Sequence, residues 1–113
     1  MTEDEKDLVT GAVVKKLQQI EDYWQLITNG PIVTINNPFF IAFQGRTISP
    51  TECNQEICTG QKIVAENYLE NRFYQFVLEN GAKITISLDP IDYICPEAVY
   101  IVNANNGCPF IVF

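Results

Sequence analysis

The chain has 113 residues, 47% of them hydrophobic, a formal net charge of −7 and no histidine. That length suits one domain, and that hydrophobic share suits a packed core rather than disorder. The negative balance disfavours nucleic acid, whose phosphates demand Lys and Arg. Without histidine, the commonest general base, nucleophile activator and metal ligand disappear together.

The first segment, Met1 to Asp7, is acidic and lacks an apolar stretch, so no signal peptide is expected. No apolar run approaches the ~20 residues of a membrane helix. A cytoplasmic setting with reduced cysteines follows as the expectation.

Val9, Val13, Leu17, Ile20, Trp24 and Ile27 then recur at helical spacing, which admits an α+β alternative with a helix over about 4–27. Gly11, the β-branched pair Val13-Val14 and an internal repeat argue instead for strands. Thr10-Gly11 answers Thr59-Gly60, and Asn29-Gly30 answers Asn80-Gly81. Gly45 is set against Gly107. Tyr23-Trp24-Gln25-Leu26-Ile27 answers Phe73-Tyr74-Gln75-Phe76-Val77, and Ile32-Val33-Thr34-Ile35 answers Lys83-Ile84-Thr85-Ile86. Self-similarity at such a period decides architecture before local propensity does. The spacing is 50 for the aromatic segments and 51 for the Asn-Gly pairs, so one residue is gained or lost between them.

Asn-Gly between apolar alternations predicts hairpins. In the first, Leu26 faces Val33 and Trp24 faces Ile35, with a loop loosened by Pro31. In the second, a two-residue Asn80-Gly81 loop would set Val77 against Ile84. Phe73, Val77, Ala82, Ile84, Ile86 and Leu88 would then share one face, leaving Tyr74 and Phe76 on the other. Asn36-Asn37-Pro38 and Asp89-Pro90 are equivalent breaks, each followed by an apolar run. Residues 49–60 are the polar connection between copies, and Phe110 to Phe113 form a closing strand.

Together these predict a mainly β chain: two duplicated antiparallel β-meander units, about 10–48 and 59–113, packed as a sandwich or partly open barrel within one domain. Exposed edges favour a homodimer.

The chemistry-bearing residues are few. Cys53, Cys58, Cys95 and Cys108 lack the tight pairing of a structural zinc site and read as small buried thiols, except that Cys53 and Cys58 are expected to be exposed on the connection. Asp89, Asp92 and Glu97 cluster after the second hairpin and could share a cation, but Asp before Pro90 and Asp92 capping a short turn is the simpler account. No catalytic constellation, metal or cofactor is expected. The aromatic stripes read first as core; on a sheet face left open, Trp24, Tyr74 and Phe76 are what a partner would find, and Asp89, Asp92 and Glu97 are further candidate contacts. Residues 47–113 carry eight acids against three bases, which serves solubility first and would also steer a basic protein partner toward them.

Leu88 to Ala98, with Tyr93-Ile94-Cys95-Pro96-Glu97-Ala98, and the ending Pro109-Phe110-Ile111-Val112-Phe113 resemble the end of a group of small uncharacterised bacterial proteins. That group has Tyr-x-x-Pro-Glu-Ala and Pro-x-Ile-Val-aromatic segments. Gly11-Ala12-Val13-Val14, Tyr23-Trp24-Gln25-Leu26 and Asn37-Pro38 match its earlier part, whereas Cys95 and Phe113 stand where glycine and tryptophan are expected. By size and charge such proteins resemble immunity proteins, which implies an inhibitor of a basic toxin.

Overall fold

The computed structural model describes residues 3–5, 8–104 and 110–113. They form strands β1 (Glu3–Glu5), β2 (Val14–Ile20), β3 (Tyr23–Thr28), β4 (Ile32–Ile35), β5 (Phe39–Phe43), β6 (Arg46–Ile48), β7 (Ile63–Leu69), β8 (Phe73–Leu78), β9 (Lys83–Ser87), β10 (Val99–Val102) and β11 (Phe110–Val112). The only helical segments among them are single 3₁₀ turns, at Pro50–Glu52, Gln55–Ile57 and Pro90–Asp92. The fold is mainly β, and the alternative of a helix over 4–27 is wrong.

Two antiparallel sheets face each other without closing into a barrel. One has the order β1-β7-β8-β9-β5-β6, the other β11-β10-β4-β3-β2. The meander β2-β3-β4 therefore receives β10 and β11 from the other half of the chain, and the meander β7-β8-β9 receives β5 and β6 on one side and β1 on the other. After β4 the chain crosses to lay β5 on β9, with Phe40 opposite Thr85. After β9 it crosses back to lay β10 on β4, with Tyr100 opposite Thr34.

The halves correspond in detail about a twofold axis near Val13 and Lys62, which pair with each other in an isolated bridge. Gly11 N donates to Ile63 O at 2.7 Å, and Gly60 N donates to Val14 O at 2.8 Å. Strands β2 and β7 carry a bulge at the same place, between Val14 and Lys16 and between Ile63 and Ala65. Outside, Gln18, Gln25 and Thr34 form a cross-strand hydrogen-bond ladder, and Asn67, Gln75 and Thr85 repeat it. The helical spacing of residues 9–27 has its origin here. A bulge inserts one residue, so the buried positions Val14 and Leu17 fall three apart instead of two.

The first hairpin pairs as expected, with Leu26 opposite Val33 and Trp24 opposite Ile35. Pro31 donates no hydrogen bond, and Thr28 Oγ1 donates to its carbonyl instead. The second hairpin differs from the expected register by one residue. Val77 lies opposite Lys83 and Phe76 opposite Ile84, around a three-residue loop of Glu79, Asn80 and Gly81. Gly81 N donates to Leu78 O at 2.9 Å and Gly81 takes a φ of +90°, a turn followed by a left-handed residue. The extra residue between the copies is in this loop. A slip of one exchanges the faces of a strand, so Tyr74, Phe76 and Leu78 point inward and Phe73 and Val77 do not.

The core joins Val14, Leu17, Leu26, Val33, Ile35, Val99 and Ile101 from one sheet to Ile41, Ile63, Tyr74, Phe76, Ile84 and Ile86 from the other. Phe113 closes it as expected, its ring 4.8 Å from Tyr74 and 5.3 Å from Tyr68. Gly107 and Cys108 lie outside the described residues. No helix among the described residues is long and apolar enough to cross a membrane.

Candidate functional site

The halves differ most at the crossings. The first, between β4 and β5, is only Asn36-Asn37-Pro38, whereas the second, between β9 and β10, runs from Leu88 to Ala98. The short crossing holds both ends of the long one. Asn36 N donates to Ala98 O at 2.8 Å, and Asn36 Nδ2 to Glu97 O at 3.1 Å. Asn37 Nδ2 donates to Ser87 O at 2.9 Å. Asp89 Oδ1 accepts from Ile91 N at 3.1 Å and caps the turn Pro90–Asp92, with proline at its first position. Ser87 Oγ donates to Asp92 Oδ2. The capping residue is therefore Asp89, and not Asp92 as the sequence suggests.

Between these anchors the loop carries two aliphatic side chains in water: Ile91 is 86% and Ile94 78% exposed. They are the two most exposed large hydrophobic side chains among the described residues. Beneath Ile94 runs a cleft of about 270 Å³ lined by Asp22, Trp24, Asn37, Phe39, Pro50 and Ile94, among others. Trp24 is half-buried there and meets Phe39 edge-on, ring centroids 5.7 Å apart. An adjoining cleft of about 250 Å³ shares Asp22, Asn36 and Ile94 and adds Tyr23 and Cys95.

A third cleft, about 460 Å³, opens against Phe39, Phe40, Arg72, Phe73, Ser87 and Asp92. It is the twofold counterpart of the Asp22 region: Arg72 holds the turn position of Asp22, Phe73 that of Tyr23, and Ser87 that of Asn36. The two clefts therefore carry opposite charges at equivalent places.

Of the six residues expected to meet a partner, Trp24 alone lines the cleft under Ile94. Asp92 lines the Arg72 cleft, Asp89 is exposed on the turn, and Glu97 is half-buried with its carbonyl engaged by Asn36. Tyr74 and Phe76 are fully buried and are not available to any partner. The rings are 4.8 Å apart inside the sandwich. Asp22, Arg72, Asn37, Ile91 and Ile94 escaped the sequence reading. The one signal for the isoleucines is their position between Pro90 and Pro96, where strand is ruled out and burial has no regular face to use.

Tyr74 is bound to a buried acid. Glu66 is inaccessible to solvent, and its Oε1 accepts from the Tyr74 hydroxyl. Its Oε2 accepts from Val9 N at 2.9 Å, Thr10 N at 2.8 Å and Thr10 Oγ1 at 2.6 Å. Burial, then the neighbouring carboxylate, raises the Tyr74 hydroxyl far above the usual phenol range. Every partner donates to Glu66, which leaves no oxygen turned toward a cleft, so this is a structural pair.

The Cys53 thiol donates to Asn54 O at 3.4 Å on the connection. Burial pushes Cys58 up to about 12 and raises Cys53 as well, which is the opposite of an activated thiol. Contrary to expectation Cys58 is wholly buried, and it belongs to the core; Cys95 is exposed in the long loop. Among the described residues no three Cys, Asp or Glu side chains converge as a metal site would require. No protein family, curated protein or solved structure matches the chain.

Proposed function

We propose that this chain is a non-catalytic protein-binding module, an immunity-type inhibitor that meets a basic toxin at the crossing end of the sandwich. The observation that supports this most is the pair Ile91 and Ile94, exposed on a loop tied down at both ends. Apolar anchors on a held loop bind at little ordering cost, which is what a tight inhibitor needs. Around them stand Asp22, Asp89, Asp92 and Glu97, and a rim of that sign speeds encounter with a cationic surface.

The test is the product of a toxin gene adjoining this one, titrated by calorimetry at several salt concentrations. Binding is expected to weaken as salt rises, and Ile91→Glu with Ile94→Glu to weaken it at least ~30-fold, the loss of one hot spot. Unchanged affinity of the double variant would remove this surface from the interface. The alternative, a self-associating β module, buries the same isoleucines against a second copy. Sedimentation equilibrium separates the two, since only self-association makes the mass depend on the concentration of this chain alone.

A further inference from the structure

We infer that the cleft between Trp24, Phe39 and Ile94 is a receptor for one cationic side chain, the lysine or arginine by which a basic partner is anchored. Three features converge on that occupant, given the partner-binding role proposed above. The first is size. About 270 Å³ falls below the ~300–1,000 Å³ of pockets that hold drug-sized ligands and suits a single long side chain.

The second is the lining. Trp24 and Phe39 meet edge-on, and with Ile94 they offer an apolar wall for a methylene stem and aromatic surface for its charged head. Asp22 belongs to this cleft and to the adjoining one, so a carboxylate stands at their junction.

The third is an unfilled acceptor. Asn37 lines the same cleft and is only 3% exposed. Its Nδ2 is engaged by Ser87 O, while its Oδ1 has no hydrogen-bond partner. A buried carbonyl oxygen without a donor is costly; that oxygen is closed off from solvent, and an N–H donor entering the cleft would have to displace its cover to supply what it lacks. The equivalent cleft has Arg72 in place of Asp22, with Asp92 also in its lining, so its carboxylate is offset by a resident cation and it serves as an internal control.

The probe is n-butylammonium, titrated into the full-length protein with backbone and indole N–H signals followed by NMR. Butanol, butyrate and butylguanidinium are run in parallel. The expected result is saturable shifts at Trp24, Asn37 and Ile94 with a Kd of ~1–10 mM. Shifts should be weaker for butanol, absent for butyrate, and not found around Phe73. Asp22 is exposed, so Asp22→Asn leaves the core intact, and it should weaken the cation at least ~5-fold.

Equal shifts with butanol, or no change in Asp22→Asn, would overturn the inference. The complex with a toxin separates this from the broader role. If Ile91→Glu with Ile94→Glu abolishes that complex while Asp22→Asn and Trp24→Ala do not, the anchoring cleft is wrong and the inhibitor reading survives. If the cleft takes the cation but no toxin binds, the inhibitor reading fails and the cation site remains.

Discussion

Glu66 occupies the place that Leu17 holds in the other half, so the duplication offers its own comparison of a buried acid with a buried aliphatic. The acid receives two backbone N–H donors, a threonine hydroxyl and the Tyr74 hydroxyl. Leucine at 66 would fill similar space and leave those donors without an acceptor. Glu66→Leu is expected to lower unfolding free energy by about 2–4 kcal/mol, and Tyr74→Phe by about 1–2 kcal/mol. The double variant should lose less than the sum, because with both groups gone the tyrosine hydroxyl has nothing to miss. Urea midpoints at an unchanged m value provide the measurement, and strict additivity would mean that the two do not act as a pair. The same interior sets the alkaline limit. An unfolded thiol titrates near 9.0 and an unfolded phenol near 10.0, whereas folding raises Cys58 to about 12 and Tyr74 higher still. Above pH ~9 the unfolded chain therefore binds fewer protons than the folded one, and stability falls as pH rises, by up to about 1.4 kcal/mol per pH unit for each group. Cys58→Val, which copies Val9 in the other half, should remove the larger part of the decline that begins near pH 9, leaving the smaller share of the raised Cys53 thiol.

The two Asn-Gly hairpins look alike in sequence but are different elements. Gly81 has a φ of +90°, whereas Gly30 is not among the residues with positive φ, and neither has an atom within 4 Å of where a Cβ would stand. Alanine at 81 is therefore expected to cost about 1–2 kcal/mol from backbone strain alone, and alanine at 30 less than about half of that. Thermal or urea unfolding of the two variants checks the contrast, and equal losses would contradict it. This difference also explains what the sequence could reveal. Alternation identifies β3, β4, β8 and β9 as strands, because period two needs no tertiary information. Register depends on loop length, and one unrecognised loop residue at Glu79 was enough to turn Tyr74 and Phe76 from partner-facing into core residues. The clefts were less legible still. Asp22, Asn37 and Ile94 come from a turn, a crossing and a loop distant in sequence, and nothing local announces that they meet. Trp24 was visible because a large half-apolar ring near a strand end draws notice anywhere.

At the scale of the molecule, the exchange of β5-β6 and β10-β11 makes neither half self-sufficient. A chain cut between Glu52 and Cys53 yields one piece whose β4 lacks β10 and another whose β9 lacks β5. Each fragment alone is expected to lack cooperative unfolding and dispersed NMR signals, and mixing them should restore both. A first fragment that folds by itself as a monomer would contradict the exchange. Many of the strand contacts join residues far apart in the chain, so folding of the intact protein belongs with slow all-β domains, on the ms–s timescale.

The bridge between Val13 and Lys62 has one more consequence. Were this frame built from two identical half-length chains, position 13 would meet its own copy on the axis, and any substitution would alter both clefts at once. Joining the halves in one chain lifts that constraint. Each half can be changed without its twin, and the crossing that holds Ile91 and Ile94 can lengthen on one side only. Asp22 and Arg72, opposite charges at equivalent turns, show how far the two ends have already diverged.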